Sequence, residues 1–101
     1  MWVCFNDGFV SAVEHRQDPS MLMVRARREE ILQSLFPGVE IVLGGSTDYQ
    51  YRVVVTKEAF AAVLSDRVSE ISYSNFKNSV EDEELHDLYR QFWELHFAYQ
   101  R

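Results

Sequence analysis

Arginines in two segments of the chain are spaced in a way that suits anion binding. The segment "MLMVRAR" places Arg25 and Arg27 two residues apart, and "TDYQYRVVV" places Arg52 shortly after Asp48 and directly after Tyr51. Planar guanidinium groups donate paired hydrogen bonds to phosphate and carboxylate groups. If both segments are strands of one sheet, these five residues define a candidate site for binding a ligand or a partner.

Residue alternation predicts the face of the sheet that each of these side chains occupies. Successive side chains of a strand point to opposite faces, so the arginines of the first segment lie opposite its apolar residues. In the second segment, the face opposite Arg52 holds Tyr49, Tyr51, Val53 and Val55. If both apolar faces pack on helices, the three arginines project from one side of the sheet. Asp48, and Glu14 from the preceding strand, could then neutralise part of the cluster.

Two other interpretations of these arginines stay open. The cluster can be an ordinary solvated face, on which each cross-strand pair with a carboxylate contributes a fraction of a kcal/mol to about 1 kcal/mol. A pairing register shifted by one residue would also turn the arginines to the other face.

The loop "YSNFKNS" is the second candidate site. Its residues Tyr73, Asn75 and Lys77 alternate with small or apolar residues. They can face a ligand or partner. Alternatively, the segment only connects two helices, with Phe76 in the core and Asn75 holding the turn.

An aromatic stripe marks the last predicted helix, Val80–Tyr99. Its members recur at helical spacing: Leu85, Leu88, Tyr89, Phe92, Trp93, His96 and Tyr99. We expect Leu85, Leu88, Phe92 and Trp93 to anchor this helix. The alternative is that some of the aromatic residues form a surface for a partner or for a homodimer, because Trp and Tyr are favoured anchors in interfaces.

Other residue types give little support for catalysis, metal binding or a cofactor. His86 and His96 are ten residues apart, and Glu83 with His86 has no second pair to complete a metal site. No serine has the surroundings of a nucleophile, and "GGS" alone does not make a phosphate loop. We expect Cys4, in the apolar opening "MWVCF", to be a buried small hydrophobe rather than a reactive thiol. The sequence therefore favours a non-enzymatic protein without a metal or cofactor.

The net charge of −6, from 10 basic and 16 acidic residues, argues against direct nucleic-acid binding. It permits a basic partner surface or a decoy of nucleic acid, and it also simply favours solubility. There is no signal-peptide pattern and no apolar run of the roughly 20 residues that a membrane helix needs. We therefore expect a cytoplasmic protein without membrane contact.

The element order predicts the fold class. Turn signals and periodicity give β-β-β-α-β-β-α-α, with a helix over 28–36 and another starting after Thr56, which can cap it. Ser79 and Asp82 resemble a capping box before the last helix. We predict a single α+β domain over residues 1–101, with an antiparallel sheet of four to five strands and three helices packed on one face.

Four stretches resemble a family of small proteins of bacteria and their phages. They are "GFVSAVEHRQDPSMLMVRAR", "TDYQYRVVV", "ISYSNFKNSV" and "HDLYRQFW", on the patterns GF-S-V, VRAR, TDY-YR and Y-NFK. The residues on these patterns are Arg25, Arg27, Asp48, Tyr49, Tyr51, Arg52, Tyr73, Asn75 and Lys77. Gly44-Gly45-Ser46 stands where the family has Thr-Pro. The resemblance implies a small soluble bacterial or phage protein and brings no reaction or cofactor.

These features favour a non-enzymatic binding or regulatory protein that acts on a protein partner. One concrete form is an acidic inhibitor of a host nucleic-acid-handling defence system, because an acidic surface could occupy a basic groove. The alternative is a small enzyme or phospholigand-binding protein that uses the face of Arg25, Arg27 and Arg52.

Overall fold

A computed structural model of the protein describes residues 1–44 and 48–101. The strands are β1 (Trp2–Phe5), β2 (Gly8–Glu14), β3 (Met21–Ala26), β4 (Val42–Leu43) and β5 (Tyr51–Thr56), and the helices are α1 (Glu29–Leu35), α2 (Lys57–Ser69) and α3 (Glu83–Tyr99). The strands form one antiparallel sheet in the order β1-β2-β3-β5-β4. The predicted α+β class and element order are confirmed.

The centre of the sheet is formed by the pairing of β3 with its two neighbours. Val24 lies opposite Ala12 of β2 and opposite Val53 of β5. A short turn joins β2 to β3, in which the hydroxyl and the backbone N–H of Ser20 both donate hydrogen bonds to Asp18. These bonds hold the pKa of Asp18 below its usual value, with the hydroxyl as the larger cause.

Helices α1 and α2 pack with the apolar side of this sheet. Gly8 of β2 lets α1 approach closely, because a Cβ atom built there would lie 2.7 Å from Cβ of Ile31. The rings of Phe36, which follows α1, and Phe60 of α2 contact each other at 6.2 Å. Thr56 caps α2 as predicted, since its hydroxyl accepts a hydrogen bond from the N–H of Ala59.

The chain divides into two compact units, which are described separately. The first comprises residues 1–4 and 8–71, and the second residues 5–7 and 72–101. The prediction of a single domain stays a prediction. In the second unit, the hydroxyl of Tyr89 donates a buried hydrogen bond to the carbonyl oxygen of Phe5 at 2.9 Å.

Helix α3 begins later than predicted. It starts at Glu83 rather than Val80, and its N-cap is Asp82, whose carboxylate accepts a hydrogen bond from the N–H of Leu85. The predicted cap with Ser79 is wrong, because the Ser79 hydroxyl is used in the preceding turn, where it donates to the carbonyl of Phe76. That turn is a short 3₁₀ helix, Lys77–Ser79.

Two burial predictions are wrong. Trp93 was expected to anchor α3, but its side chain is 47% exposed. The buried residue of α3 is Tyr89. The other three expected anchors are half-buried: Leu85, Leu88 and Phe92. Helical spacing identifies the stripe but not which member lies deepest. Cys4 is exposed, because strand alternation turns Val3 and Phe5 to the more buried side of β1.

Candidate anion-binding site

Two arginines face each other across the β3–β5 pair. Arg25 lies directly opposite Arg52, and the same row continues to Ser11 on β2 and to Val42 on β4. Directly opposed residues of antiparallel strands extend their side chains on the same face of the sheet. The structure therefore places the side chains of Arg25 and Arg52 on the same face of the sheet, as the alternation predicted. We call Arg25, Arg27 and Arg52 the arginine cluster.

Within residues 1–44 and 48–101, the half-buried cation Arg25 has hydrogen-bonding and ring contacts with uncharged groups. Its Nη2 donates to the Ser11 hydroxyl at 2.9 Å, and its Cζ lies 4.6 Å from the centre of the Tyr49 ring. Its Nε is buried and has no acceptor among residues 1–44 and 48–101. No carboxylate pairs with Arg25 in that part of the chain, and residues 45–47 are Gly, Ser and Thr. Its positive charge is thus not neutralised by an ion pair.

Arg27 does have a carboxylate partner. Its Nη1 lies 3.0 Å from Oδ1 of Asp48 and also donates to the Asp48 carbonyl oxygen. Both side chains are largely exposed, so this pair contributes at most about 1 kcal/mol to stability. The predicted proximity of Asp48 to the arginines is confirmed, and Arg27 is the member that it neutralises.

Tyr49 lies on the arginine side, contrary to the prediction. Strand β5 begins at Tyr51, so Tyr49 precedes the regular alternation and its ring turns toward the arginines. Cζ of Arg27 lies 4.0 Å from the ring centre, and Arg25 also lies over the ring. Alternation had placed Tyr49 on the apolar face, so the sequence analysis did not count it as a site residue. Its position next to Asp48 was the available signal.

Tyr51 is not part of the cluster. It pairs with Ala26 and shares the face of the buried Val53, so its side chain lies on the side of the sheet opposite Arg52. Glu14 is also on that side, opposite Leu22, and its carboxylate lies 3.9 Å from Nζ of Lys57. The prediction that Glu14 could neutralise the arginines is therefore wrong.

Arg52 connects the cluster to the segment before β5. Its Nε donates to the carbonyl oxygen of Tyr49 at 3.4 Å, and its Nη1 lies 3.6 Å from Sδ of Met23. Both of these acceptors are uncharged and both contacts are long. They direct the side chain toward the segment before β5 and toward β3. Gly44 supports the same segment, because its N–H donates to the carbonyl of Gln50 at 2.6 Å. Gly45 and Ser46 belong to the stretch that departs from the pattern of the resembled family, and they lie outside the described residues.

Exposed apolar side chains border the arginine row on the same face. Val13 and Val54 flank Met23 in the adjacent row, and Val42 lies beside Arg52. These three valines are all exposed, Val42 at 48%. Arginine surrounded by exposed apolar residues is a composition found in protein interfaces. We call these three valines the apolar border.

Ser11 is a second site residue that the sequence analysis did not identify. It lies in an apolar strand and is 1% exposed, with its hydroxyl accepting from Arg25. A lone hydroxyl on the arginine side of β2 was the available signal. Its hydrogen bond fixes the direction of the Arg25 guanidinium.

The loop residues Tyr73, Asn75 and Lys77 belong to the second unit. Asn75 accepts a hydrogen bond from the N–H of Asn78, and Lys77 opens the 3₁₀ turn. The rings of Tyr73, Phe76, Tyr89 and Phe92 contact one another in series at 5.3–5.8 Å. These contacts agree with a connecting segment in which Phe76 packs among aromatic residues and Asn75 holds the turn.

The described parts of the chain contain neither a group of metal ligands nor a helix that could cross a membrane. Within residues 1–44 and 48–101, no three His, Cys, Asp or Glu side chains are placed to hold a metal ion. In the same ranges, each helix is too short or too polar to cross a bilayer.

Comparisons with known proteins give no family for this chain. Neither the models of protein families, nor the curated proteins, nor the solved structures include a significant match.

Proposed function

We propose that this chain is a small, non-enzymatic binding or regulatory protein, and that its arginine cluster receives an anionic group of a protein partner. The observation that carries the proposal is Arg25. This half-buried guanidinium has no carboxylate partner in the described residues and lies directly opposite Arg52. An anion placed between the two side chains would supply the missing negative charge.

The electrostatics of the cluster favour a ligand role over a purely structural one. Like charges directly opposite each other in a sheet destabilise the fold, and a buried donor without an acceptor adds about 1–3 kcal/mol of cost. Asp48 stands beside Arg27 as on an ordinary solvated face, whereas Arg25 has no carboxylate partner in the described residues. Local electrostatic cost of this kind is a common feature of binding sites.

The chemistry of the cluster favours binding over catalysis. Guanidinium groups keep their protons throughout the neutral range, so they do not act as general acids or bases there. The carboxylate of Asp48, which contacts the cluster, is paired with Arg27. The cluster is therefore suited to hold and orient an anion, which supports the binding role over the enzymatic alternative.

The apolar border supports a protein partner. A free anion needs only the charged centre, whereas a protein surface can also cover Val13, Val42 and Val54. The same composition argues against self-association through this face, because two copies would oppose their arginines. The partner therefore combines an anionic group with apolar surface.

A second candidate function rests on the acidic second unit. Four consecutive acidic residues, Glu81–Glu84, stand at the start of α3, and the whole chain carries a net charge of −6. An acidic surface of this kind could occupy the basic groove of a nucleic-acid-handling protein. Together with the resemblance to bacterial and phage proteins, this supports an inhibitor of a host defence system in the cytoplasm.

Comparative partner capture tests both candidates. The immobilised protein, an Arg25→Gln/Arg52→Gln variant and a Glu81→Gln/Glu83→Gln/Glu84→Gln variant are exposed to bacterial lysate, and recovered proteins are quantified by mass spectrometry. Arg16→Gln is the matched control, because it removes the same charge from an exposed turn residue. We expect the arginine variant alone to lose a partner that the control retains. Recovery of the same partners by all variants would contradict the proposal, and loss only in the acidic variant would favour the second candidate.

A further inference from the structure

We infer that the second unit forms a symmetric dimer, in which the last two turns of α3 pack antiparallel against the same turns of a second copy of this chain. The inference goes beyond the proposed function, because the arginine cluster belongs to the first unit. It is drawn from the exposed apolar side chains at the end of α3, their positions around the helix and the placement of charge.

Large apolar side chains are exposed at the end of α3. The buried residue of this helix is Tyr89. Four large apolar residues after it are exposed: Trp93 at 47%, Leu95 at 72%, Phe97 at 57% and Tyr99 at 81%. We call these four residues the terminal patch. Helical turns with apolar residues on most sides are typical of buried helices, so these turns have the composition of a covered surface.

The terminal patch has two flanks. Each residue of an α-helix is rotated by about 100° from the one before, so residues four apart lie on the same side. Trp93 and Phe97 therefore form one flank, where their rings stack at 5.1 Å with 13° between the ring planes. Leu95 and Tyr99 form the other flank.

His96 lies between the two flanks. It is three residues after Trp93 and three residues before Tyr99, and it is exposed. Residues seven apart share one side of a helix, and the residue seven before His96 is the buried Tyr89. The side of α3 that is packed at Tyr89 is therefore uncovered at His96, where another helix can continue the packing.

A second copy of the chain matches both flanks. A two-fold interface brings the same surface of both copies together. When two helices pair antiparallel about an axis beside His96, each flank meets the same flank of the other copy in reverse order. Trp93 of one copy then lies beside Phe97 of the other, and Leu95 lies beside Tyr99. The two His96 rings meet at the axis, where neutral imidazoles can share a hydrogen bond.

The exposed area is sufficient for a specific dimer. An aromatic side chain has about 150–250 Å² of surface to bury, so the exposed fractions of the three rings leave about 300–450 Å² open on each copy. Two copies together bury about 600–900 Å² of aromatic surface. The core of a homodimer interface is about 65% apolar, which corresponds to a total area of about 900–1,400 Å². A specific interface needs about 1,000 Å², so we expect a dimer that forms reversibly.

Charge favours the antiparallel orientation. A parallel pair would bring together the two acidic runs, Glu81–Glu84, at the starts of the helices. In the antiparallel pair each run lies about 20 Å from His96 along the helix, so the two runs are about 40 Å apart. That distance exceeds the screening length of about 8 Å at physiological salt. Within the last turns, the carboxylate of Glu94 is paired with Arg90 at 2.9 Å.

Single cysteines test the arrangement by disulfide formation. His96→Cys, Gln100→Cys and Ala98→Cys are each made in a Cys4→Ser background, which removes the other thiol of the chain. We expect His96→Cys to cross-link on mild oxidation, because its two copies approach each other at the axis. Gln100→Cys should not cross-link, because the two copies of this residue lie about 12 Å apart along the helices. Ala98→Cys is the matched control, since this residue is exposed on the outer side of the helix.

Sedimentation equilibrium measures the association of the full chain. We expect a monomer–dimer equilibrium that Leu95→Gln/Phe97→Gln weakens at least about tenfold, because the variant removes one apolar residue from each flank. Ala98→Gln should retain the association of the unchanged protein. All three positions are exposed in the single copy, so we expect the variants to keep their helix content, which circular dichroism checks.

Other outcomes overturn the inference. A protein that stays monomeric up to millimolar concentration would exclude the dimer. Cross-linking of Gln100→Cys as fast as His96→Cys would indicate a parallel pair, and cross-linking of Ala98→Cys alone would place another side of α3 in the interface. Phenyl phosphate is a small anion suited to the arginine cluster. Loss of association on its addition, or in Arg25→Gln/Arg52→Gln, would assign self-association to the first unit instead.

Discussion

Tyr49 shows at the scale of a single residue how the site is held together. Its ring is buried and contacts the guanidinium carbons of both Arg25 and Arg27. A cation over an aromatic face contributes about 0.5–2 kcal/mol, depending on how well it is shielded from water. The ring therefore orients both guanidinium groups, and of the two Arg25 is the one that has no carboxylate partner in the described residues.

The first prediction concerns this ring. We expect Tyr49→Leu to lower the free energy of unfolding by about 1 kcal/mol more than Tyr49→Phe, because Phe retains the aromatic face. Urea denaturation measures the difference. It should shrink in an Arg25→Gln/Arg27→Gln background, where no cation lies over the ring. An equal difference in both backgrounds would show that simple burial, not the arginines, sets the cost.

Gly8 and Gly38 are the subject of the second prediction. Added at Gly8, a Cβ atom would lie 2.7 Å from Cβ of Ile31, whereas at Gly38 it would meet nothing within 4 Å but the backbone has φ +81°. We expect Gly8→Ala to cost about 1–3 kcal/mol through overpacking and Gly38→Ala about 1 kcal/mol through conformation. Thermal denaturation measures both.

Substitution by asparagine distinguishes overpacking at Gly8 from backbone strain at Gly38. Gly38→Asn should cost less than Gly38→Ala, because Asn tolerates the left-handed region. Gly8→Asn should cost more than Gly8→Ala, because a larger side chain meets the same Ile31. The reverse order at either position would contradict the stated cause.

At the scale of elements, the start of β5 decides which residues meet. Alternation correctly predicted that Arg25 and Arg52 share a face, because β3 and β5 are regular where these residues pair. It failed for Tyr49, because parity applies only within a strand and the strand starts two residues later. The five strands, their order along the chain and the Thr56 cap follow from local patterns. The Arg25–Arg52 opposition depends on register, which no local pattern specifies.

Helix α3 provides the third prediction. Asp82→Ala should lower stability by about 1 kcal/mol, because it removes the acceptor of the Leu85 N–H at the helix start. Ser79→Ala should leave the helix start intact, because its hydroxyl donates to Phe76 instead. Amide hydrogen exchange of the first turn distinguishes the two variants. Loss of protection in Ser79→Ala but not in Asp82→Ala would restore the capping box expected from the sequence.

Trp93 gives the fourth prediction, also on α3. Its ring stacks on Phe97 at 5.1 Å, and both residues are exposed. Pairs at this spacing stabilise a helix by about 0.2–0.5 kcal/mol. We therefore expect Trp93→Ala to cost less than about 1 kcal/mol in urea denaturation. A cost of about 3–5 kcal/mol, typical of a large core truncation, would show that Trp93 is buried.

At the scale of the whole molecule, the charge distribution separates the two candidate functions. The chain is acidic overall, yet the arginine cluster gives the first unit a cationic centre on its sheet. The acidic run at the start of α3 lies in the second unit. Net charge predicted the absence of a general attraction to nucleic acid, but it could not reveal a local cationic site, which depends on strand pairing.

The fifth prediction follows from ligand linkage. A ligand that binds only the folded protein stabilises it, by about 1.4 kcal/mol at a tenfold excess over Kd. We expect phenyl phosphate to raise the Tm of the protein and of Arg16→Gln more than sodium chloride of equal ionic strength does. It should not do so for Arg25→Gln/Arg52→Gln. An equal rise in all three proteins would indicate general ion effects.

The most direct test of the arginine cluster is an NMR titration with phenyl phosphate that follows backbone amides and arginine side-chain N–H groups. We expect the largest shifts at Arg25 and Arg52 and at their neighbours on β3 and β5, with the buried Nε–H of Arg25 among them. The shifts should disappear in Arg25→Gln/Arg52→Gln and persist in Arg16→Gln. Shifts centred elsewhere, such as on the Tyr73–Lys77 loop or on α3, would contradict the assignment of anion binding to this face.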